Sequence, residues 1–373
     1  MSKRIAIICS SFDPRIGYQE SVFAICLRRL GHEVQVFTTS YSANCAFVNW
    51  GEVDDSYHVK TYRTSRYFKY KSFMIPFDCK VKRILREFDP EIVIALAPGH
   101  GLGFFWIRYV SSRAAIITGF SDLFIHHKGG ILFAMKKYIY RDVISKSKLV
   151  ITATQETTKF IQGVLQGVPH SPRIMMTGLT YEEKPIEFSR LGHLQIEISN
   201  LIARYPKVIT AITKVSAKKH TFQILKCVEL FFDSNDDCCF VCGGLIDDSY
   251  SNSMRDYALK SRHASRFLLL GNLNSHQINF LYSVSSCSLW TQVSIGLQQS
   301  LSCGCPVILK NGWSAEHILV EEVTGLIFND FEDLRVKIAQ ELSCLWDKDA
   351  ISRVISRYKS EVMLPLIVDA VSF

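Results

Sequence analysis

Short apolar segments alternate with longer amphipathic ones along most of the chain, and this rhythm restricts the possible folds more than any other feature of the sequence. Residues 5–9 form a continuous apolar, β-rich run, which is typical of a parallel strand buried on both faces. Between residues 22 and 30 the apolar side chains recur at helical spacing, and Gly31 is placed to end that helix. Residues 34–38 follow as a second strand, so the chain begins with a β-α-β unit.

The alternation continues and predicts two doubly wound, Rossmann-like α/β domains. It is interrupted at residues 179–207, which carry Pro185, Pro206 and mixed charges. We therefore expect a first domain over 1–178, a connection over 179–207 and a second domain over 208–373. A chain of 373 residues, 48% of them hydrophobic, can give each domain its own core. Further strands are expected at 92–97, 114–118, 149–153, 173–176, 208–212, 239–243, 267–271, 287–290, 306–309 and 325–328.

Twelve cysteines raise the question of disulfides or zinc, but their placement favours structural thiols. Cys9, Cys239, Cys242 and Cys287 lie in strand-like apolar runs, where cysteine behaves as a small buried hydrophobe. None has the second Cys or His pair that a zinc site needs, so we expect no metal. Free thiols and the lack of a secretory signal predict a cytoplasmic protein, and no apolar run approaches the roughly 20 residues that cross a bilayer.

The net charge of +8 is unevenly distributed. Residues 1–178 contain 24 basic and 13 acidic residues, whereas the remainder contains 19 and 22. The excess predicts either an anionic acceptor or membrane inner face met by the first domain, or a solvated surface. Residues 63–71 interleave cations with aromatics and could lie on a membrane; residues 131–148 could do the same or form a core-packed helix with a basic outer face. No nucleic-acid motif accompanies these segments, so nucleic acid is not an expected partner.

Ligands of doubly wound sheets bind beyond the carboxyl ends of the strands, so the loops there are the places to look for chemistry. The loop at residues 10–17 lacks the G-x-G-x-x-G triplet, which disfavours a nicotinamide- or flavin-dependent oxidoreductase. Gly17, which precedes a helix, either admits a ligand close to the backbone or only makes a turn.

The loop at residues 213–220 contains three lysines before a helix. Ammonium groups and the helix dipole act together on an anion, and a diphosphate would suit Lys214 and Lys219. A solvated lysine cluster is the alternative interpretation.

The segment at residues 290–307 consists of a strand end, a small-residue loop and a short helix that closes on Cys-Gly-Cys-Pro-Val. It resembles the retaining glycosyltransferases of GT-B fold, a group that includes sucrose synthase and many lipopolysaccharide and capsule transferases. Their pattern is Glu-Gly-Phe-Gly-Leu, three residues, then Glu-Ala-Met-Ala-Cys-Gly-Thr-Pro-Val. Weaker similarities occur in the same order along most of the chain, including Gly17 to Glu20, Gly31 to Val34 and Glu316 to Leu326.

The resemblance implies a donor site in the second domain. The group's two acidic positions, which contact the donor sugar or its phosphate and the ribose hydroxyls, fall on Thr291 and Gln299. Gln299 can still hydrogen-bond a diol, whereas Thr291 is shorter and neutral. The group's phosphate-binding Arg and Lys correspond to Lys214 and Lys219. The backbone amides of Ser294, Ile295 and Gly296 are available to a diphosphate or sugar whatever their side chains.

On the acceptor side, the loop after the strand at 114–118 contains Asp122, where many relatives place an Asp or His near the reacting sugar. Asp122 either orients a hydroxyl or caps the loop, and His126 lies just beyond it. The resemblance implies two domains facing a central cleft and retaining, metal-independent transfer from a nucleotide-sugar to a saccharide or lipid-linked saccharide, as in cell-surface polysaccharide synthesis. A non-catalytic nucleotide-sugar- or glycan-binding protein of the same fold is the alternative.

Overall fold

The computed structural model describes residues 2–14, 18–40, 53–54, 58–70, 73–98, 101–120, 131–167, 171–182 and 186–372. The chain divides into two units. The first unit comprises Met1–Glu182 together with Tyr358–Phe373, and the second comprises Glu183–Arg357.

The first unit is built on a mainly parallel sheet. Its strands are β1 (Arg4–Ile8), β2 (Glu33–Thr39), β3 (Val53–Asp54), β4 (Lys60–Thr64), β5 (Tyr67–Tyr70), β6 (Phe73–Pro76), β7 (Ile92–Leu96), β8 (Ala115–Phe120), β9 (Leu149–Thr152) and β10 (Arg173–Met176). Eight of them lie in the order β10-β9-β8-β7-β1-β2-β4-β3, while β5 and β6 pair separately as an antiparallel hairpin. Only the short β3 runs antiparallel within the described part of the large sheet. The strand order reverses between β1 and β7, which makes that gap the topological switch point.

Helices cover this sheet, and the sequence explains where they lie. Its first five helices are α1 (Gln19–Arg29), α2 (Cys79–Phe88), α3 (Leu102–Trp106), α4 (Ile131–Ser145) and α5 (Gln155–Leu165). Every residue of β7 and β8 is buried, as expected for parallel strands covered on both faces. Helix α1 buries Phe23 and Leu27 and ends before Gly31, whose φ of +86° suits glycine at a helix end. The first β-α-β unit is therefore confirmed.

The second unit repeats the doubly wound architecture. Its helices and strands are α6 (Leu194–Arg204), β11 (Lys207–Ile212), α7 (Thr221–Phe232), β12 (Cys238–Gly243), α8 (Ser249–Lys260), β13 (Phe267–Leu270), α9 (Ser275–Val284), β14 (Cys287–Trp290), α10 (Ile295–Ser302), β15 (Val307–Lys310), β16 (Gly325–Phe328), α11 (Phe331–Ser343) and α12 (Lys348–Ser356). All strands are parallel, in the order β13-β12-β11-β14-β15-β16. This is the Rossmann order, with its switch point between β11 and β14.

The C-terminal segment differs from the sequence prediction, which assigned all of 208–373 to the second domain. Its helix, α13 (Ser360–Asp369), belongs to the first unit. Leu364 and Ile367 join the core that contains Ile5 and Phe23 of that unit. The predicted connection at 179–207 also contains helix α6, so the boundary between the units lies near the beginning of that predicted connection.

None of the described helices is both long and apolar enough to cross a membrane.

Candidate functional site

The strands β11 and β14 are neighbours in the second sheet, and their carboxyl ends meet at its switch point. The loop after β11 contains Lys214 and Lys219, and the loop after β14 leads from Thr291 into helix α10. The fold therefore brings two segments that are more than seventy residues apart in sequence to one edge of one sheet. In doubly wound sheets that edge is where ligands bind.

Direct hydrogen bonds hold these loops together. The Thr291 hydroxyl donates to the main-chain carbonyl of Lys219 at 2.9 Å. The Trp313 indole N–H donates to the main-chain carbonyl of Thr291 at 2.8 Å. Trp313 lies in the loop after β15, so three consecutive loop tips of the sheet are joined through Thr291. Trp313 is not predicted from the sequence, where its only signal is an indole three residues beyond a buried strand.

Lys219 is a desolvated cation. Its ammonium group donates a hydrogen bond to the Thr213 hydroxyl. Burial, and secondarily the nearby charge of Lys214, lower the pKa of Lys219 to about 8. Lys214 itself is exposed. Lys214 and Lys219 repel each other, and the charge of Lys219 is partly desolvated. An anion bound between or beside them would offset both the repulsion and the cost of desolvation.

A glycine fixes the path of the lysine loop. Gly244 follows β12 and has a φ of +98°. A side chain there would place its Cβ 2.2 Å from the carbonyl oxygen of Thr213. Val215 donates its backbone N–H to the Gly244 carbonyl at 3.2 Å, so this close approach supports the loop that carries Lys214. The glycine pair at 243–244 was visible in the sequence, but its partner loop was not.

The start of helix α10 lies directly after the Thr291 loop. Ser294 is the N-cap residue and makes no side-chain capping hydrogen bond, so the first amides of the helix have no side-chain partner there. Gly296 is required by packing, because a Cβ would lie 2.8 Å from the Trp290 ring. Ile295 and Gly296 are half-buried. An uncapped helix start of this kind is suited to bind an anion or a hydroxyl.

Gln299 lies on α10, one turn further along. It is half-buried, and its side-chain amide makes no hydrogen bond to any described residue. The amide therefore retains its donors and acceptor for a ligand. Its neighbour Gln298 is fully buried, which separates the two adjacent glutamines into one core and one surface-facing residue.

Comparison with known proteins was consistent in fold. A model of the family described as Glycosyltransferase Family 4 matches residues 22–174, which is less than half of the chain. HepE from Anabaena, solved with UDP and glucose, superposes with a TM-score of 0.70 at 13% identity, covering 99% of both chains. The fold is GT-B.

Two further GT-B structures are similar to this chain over nearly their whole length. Sucrose-phosphate synthase from Thermosynechococcus elongatus gives a TM-score of 0.66 at 14% identity, covering 98% of this chain and 94% of that one. The pneumococcal O-GlcNAc transferase GtfA, solved with UDP and GlcNAc, gives 0.69 at 11% identity, covering 99% and 98%. No curated protein sequence matches the chain.

In the first unit of this GT-B fold, three predicted site residues lie outside the described residues: Gly17, Asp122 and His126. The described part of the loop after β1 includes the buried residues Phe12 and Asp13. Arg63, only 3% exposed, donates from Nη2 to the Phe12 carbonyl at 3.3 Å. The expectation that Arg63 contributes to a surface-exposed basic segment is therefore wrong, because this guanidinium is part of the protein interior.

Two other predictions concern metals and helix α4. Among the described residues, no group of three or more His, Cys, Asp or Glu side chains could hold a metal ion. Burial raises the pKa of the Cys239 and Cys242 thiols to about 12, so both are neutral, as expected for structural thiols. In α4, Ile139 and Val143 pack in the core, in agreement with the core-packed alternative.

Proposed function

We propose that this protein transfers a sugar from a nucleotide-sugar to a saccharide or lipid-linked saccharide acceptor, with retention, in cell-surface polysaccharide synthesis. The observation that carries the proposal is the hydrogen bond from Thr291 to Lys219, because it joins the two loops that the donor would bind. The GT-B fold and the match to Glycosyltransferase Family 4 support a transferase. UDP-sugars are the first donors to try, since HepE and GtfA were both solved with UDP.

In the proposed donor complex, Lys214 and Lys219 bind the diphosphate and stabilise the negative charge that develops on it as the bond between the sugar and the diphosphate breaks. The backbone amides of Ser294, Ile295 and Gly296 bind the remaining phosphate or sugar oxygens. Gln299 hydrogen-bonds the ribose diol. We propose that the reaction needs no metal, because the two ammonium groups supply the positive charge.

On the acceptor side, we propose that Asp122 orients the attacking hydroxyl and that His126 also contacts the acceptor. We assign Gly17 to donor binding. Replacing Asp122 by Asn is expected to reduce transfer strongly while leaving the donor dissociation constant unchanged, because the residue acts on the acceptor. A parallel fall in donor affinity would contradict this assignment.

A non-catalytic binding protein of the same fold is the second candidate, and Thr291 favours it. The position that is acidic in related transferases is neutral here, and its hydroxyl is engaged by Lys219. Such a protein would bind a nucleotide-sugar without breaking it, so the two candidates differ in nucleotide release.

The deciding experiment measures binding of UDP-, GDP-, ADP- and CMP-sugars by calorimetry and release of free nucleotide, with and without EDTA. The double variant Lys214→Ala/Lys219→Ala should lose both, while Lys218→Ala, an exposed lysine of the same loop, should lose neither. Saturable binding without nucleotide release identifies a binding protein, and loss of activity in EDTA argues for a metal. Failure to bind any of the four donors would overturn both the transferase and the nucleotide-sugar-binding protein.

We further propose that the protein is cytoplasmic and associates with the inner face of the membrane through the β5–β6 hairpin and the start of α2. Phe68 and Phe77 are 54% and 59% exposed there. The exposed cations Arg66, Lys69 and Lys80 lie beside them in the chain. Exposed aromatics flanked by cations suit an anionic lipid surface.

Vesicle sedimentation tests this surface. Recovery should be higher with anionic than with neutral vesicles and should fall in Phe68→Ser/Phe77→Ser. Phe188→Ser is the control, because Phe188 is equally exposed, at 59%, but belongs to the second unit. Equal recovery on both kinds of vesicle would rule the surface out.

A further inference from the structure

The first unit contains an open cavity that the proposed transfer reaction does not use. It has a volume of about 310 Å³ and lies at the amino-terminal ends of β1, β7 and β8. Its lining includes Lys3, Arg4, Arg113 and Lys148, together with Ser372 near the C terminus. The five-residue strand β1 is roughly 16 Å long, and this length separates the cavity from the loops at the carboxyl ends of the strands.

Among the described residues of the lining, the two acidic groups are already neutralised. Lys3 Nζ lies 3.1 Å from Glu91 Oε1, and Arg4 Nη2 lies 3.5 Å from Asp89 Oδ2. The backbone N–H of Arg4 also donates to Glu91 Oε2 at 3.1 Å. This backbone hydrogen bond, followed by that of Lys3, holds the pKa of Glu91 below its ordinary value, so Glu91 is ionised and committed to these partners.

Arg113 and Lys148 are the cations that remain. Both line the cavity, and their side chains form no hydrogen bond or ion pair with any described residue. Their backbones are nevertheless fixed, since Arg113 N–H donates to the Ser111 hydroxyl at 3.2 Å and Lys148 N–H to the Ile116 carbonyl at 2.9 Å. Two anchored but unneutralised cations therefore face one concavity from the adjacent entries to β8 and β9.

We propose that this cavity binds a phosphate monoester, held by Arg113 and Lys148. Arginine offers a planar fork of donors that matches two phosphate oxygens, and lysine adds a point charge. Two positive charges match a dianion, and the Ser111 and Ser372 neighbourhood is polar. The monoester could belong to a free metabolite or to the headgroup of a lipid such as phosphatidic acid, which present the same chemistry.

Because the cavity lies at the opposite edge of the sheet from the loops that would meet the acceptor, its ligand is an effector or an anchor and not a substrate. Binding should therefore persist in Lys214→Ala/Lys219→Ala. Failure of the donor proposal and failure of this one are thus distinguishable.

The test is a calorimetric and NMR titration of the whole protein with inorganic phosphate and glycerol phosphate at low ionic strength, where screening is least. Backbone amide shifts should change at residues 111–115, 148 and 371–372. Arg113→Ala/Lys148→Ala should weaken binding about tenfold or more, because both charge-assisted contacts are lost. The matched control is Arg83→Ala/Lys159→Ala, which removes the same residue types from exposed positions elsewhere in the first unit.

Vesicles containing phosphatidic acid form the second arm. Binding of free phosphate esters that is lost in the cavity variant supports a metabolite source, and binding to phosphatidic acid alone with the same loss supports a lipid source. Affinity should fall below a pH of about 6, where a phosphate monoester loses its second charge. The proposal is overturned if neither ligand form binds, or if the cavity variant and the control behave alike.

Discussion

The hydroxyl of Thr291 donates a hydrogen bond to the main-chain carbonyl of Lys219 at 2.9 Å. Thr291 is 8% exposed, and its own carbonyl accepts the Trp313 indole N–H. The side chain at the position where the resemblance to GT-B transferases implies an acidic residue thus holds two loops of the site together. We infer that Thr291 acts as a positioning residue. It fixes the backbone at Lys219, and the Lys219 ammonium group binds the diphosphate of the donor.

Replacing Thr291 by Val should separate this positioning role from a direct role. Valine keeps the shape but leaves the Lys219 carbonyl without its donor, at an expected cost of about 1–3 kcal/mol in the free energy of unfolding. Donor affinity should fall with it, and Thr291→Ser should restore both. Urea denaturation and calorimetry with the donor provide the two readouts. An unchanged donor affinity in Thr291→Val would show that the loop position does not depend on this bond.

The lowered pKa of Lys219 predicts a pH dependence of donor binding. With a pKa of about 8 in the free protein, Lys219 is charged at neutral pH and loses its proton as the pH rises further. A bound diphosphate stabilises the charged form, so affinity should be highest below this pKa, fall by up to about tenfold per pH unit above it, and be accompanied by proton uptake near pH 8.

The control for this prediction is Lys219→Arg, whose guanidinium stays charged throughout the range. Calorimetry in buffers of different ionisation enthalpy measures the proton uptake directly. A pH profile of donor affinity that is the same in Lys219→Arg and in the unmodified protein would contradict the assignment.

Much of the fold could be predicted because parallel strands buried on both faces leave continuous apolar runs, as in β7 and β8. The position of α13 could not, because an apolar helical pattern such as that of Leu364 and Ile367 does not indicate which of two cores it joins. Only the three-dimensional contact decides that they pack with Ile5 of the first unit. Arg63 was misjudged for a related reason: its run of cations and aromatics reads as surface, although β4 is an inner strand of the sheet.

The candidate site was partly predictable for a different reason. Strand-end loops are the expected ligand edge of this architecture, so Lys214 could be chosen from the sequence, whereas Thr291 was chosen from the resemblance to GT-B transferases. The contacts of Gly244 and Trp313 could not, since each depends on a loop distant in the chain. Nothing in the sequence pairs Thr291 with Lys219.

Gly244 provides a test of how far the lysine loop depends on its neighbour. In Gly244→Ala the new Cβ would meet the Thr213 carbonyl at 2.2 Å, and the φ of +98° is strained for alanine. The loop must shift, so donor affinity should fall several-fold and stability by about 1–3 kcal/mol. Gly163→Ala is the control: it lies in α5 with open space around it, and alanine there should stabilise by about 0.5–1 kcal/mol. Equal effects of the two substitutions on donor affinity would refute the packing argument.

Glu341 predicts how the stability of the second unit changes with pH. It is 1% exposed on α11, neither carboxylate oxygen accepts a hydrogen bond from any described residue, and burial raises its pKa from 4.5 to about 8. The unfolded chain therefore loses this proton at lower pH than the folded protein does. The stability associated with the protonated group is complete below about pH 4.5 and is lost as the pH rises toward 8, by roughly 3 kcal/mol at pH 7.

Replacing Glu341 by Gln removes the titration while conserving the shape of the side chain. The stability of Glu341→Gln relative to the unmodified protein should increase steadily between pH 5 and pH 8, because only the unmodified protein must bury or protonate a carboxylate. Urea denaturation at several pH values measures this difference. Glu332→Gln, at an exposed position of the same helix, should show no comparable slope. Parallel pH profiles for Glu341→Gln and the unmodified protein would mean that the Glu341 carboxyl titrates alike in the folded and unfolded states, and that its burial imposes no penalty on ionisation.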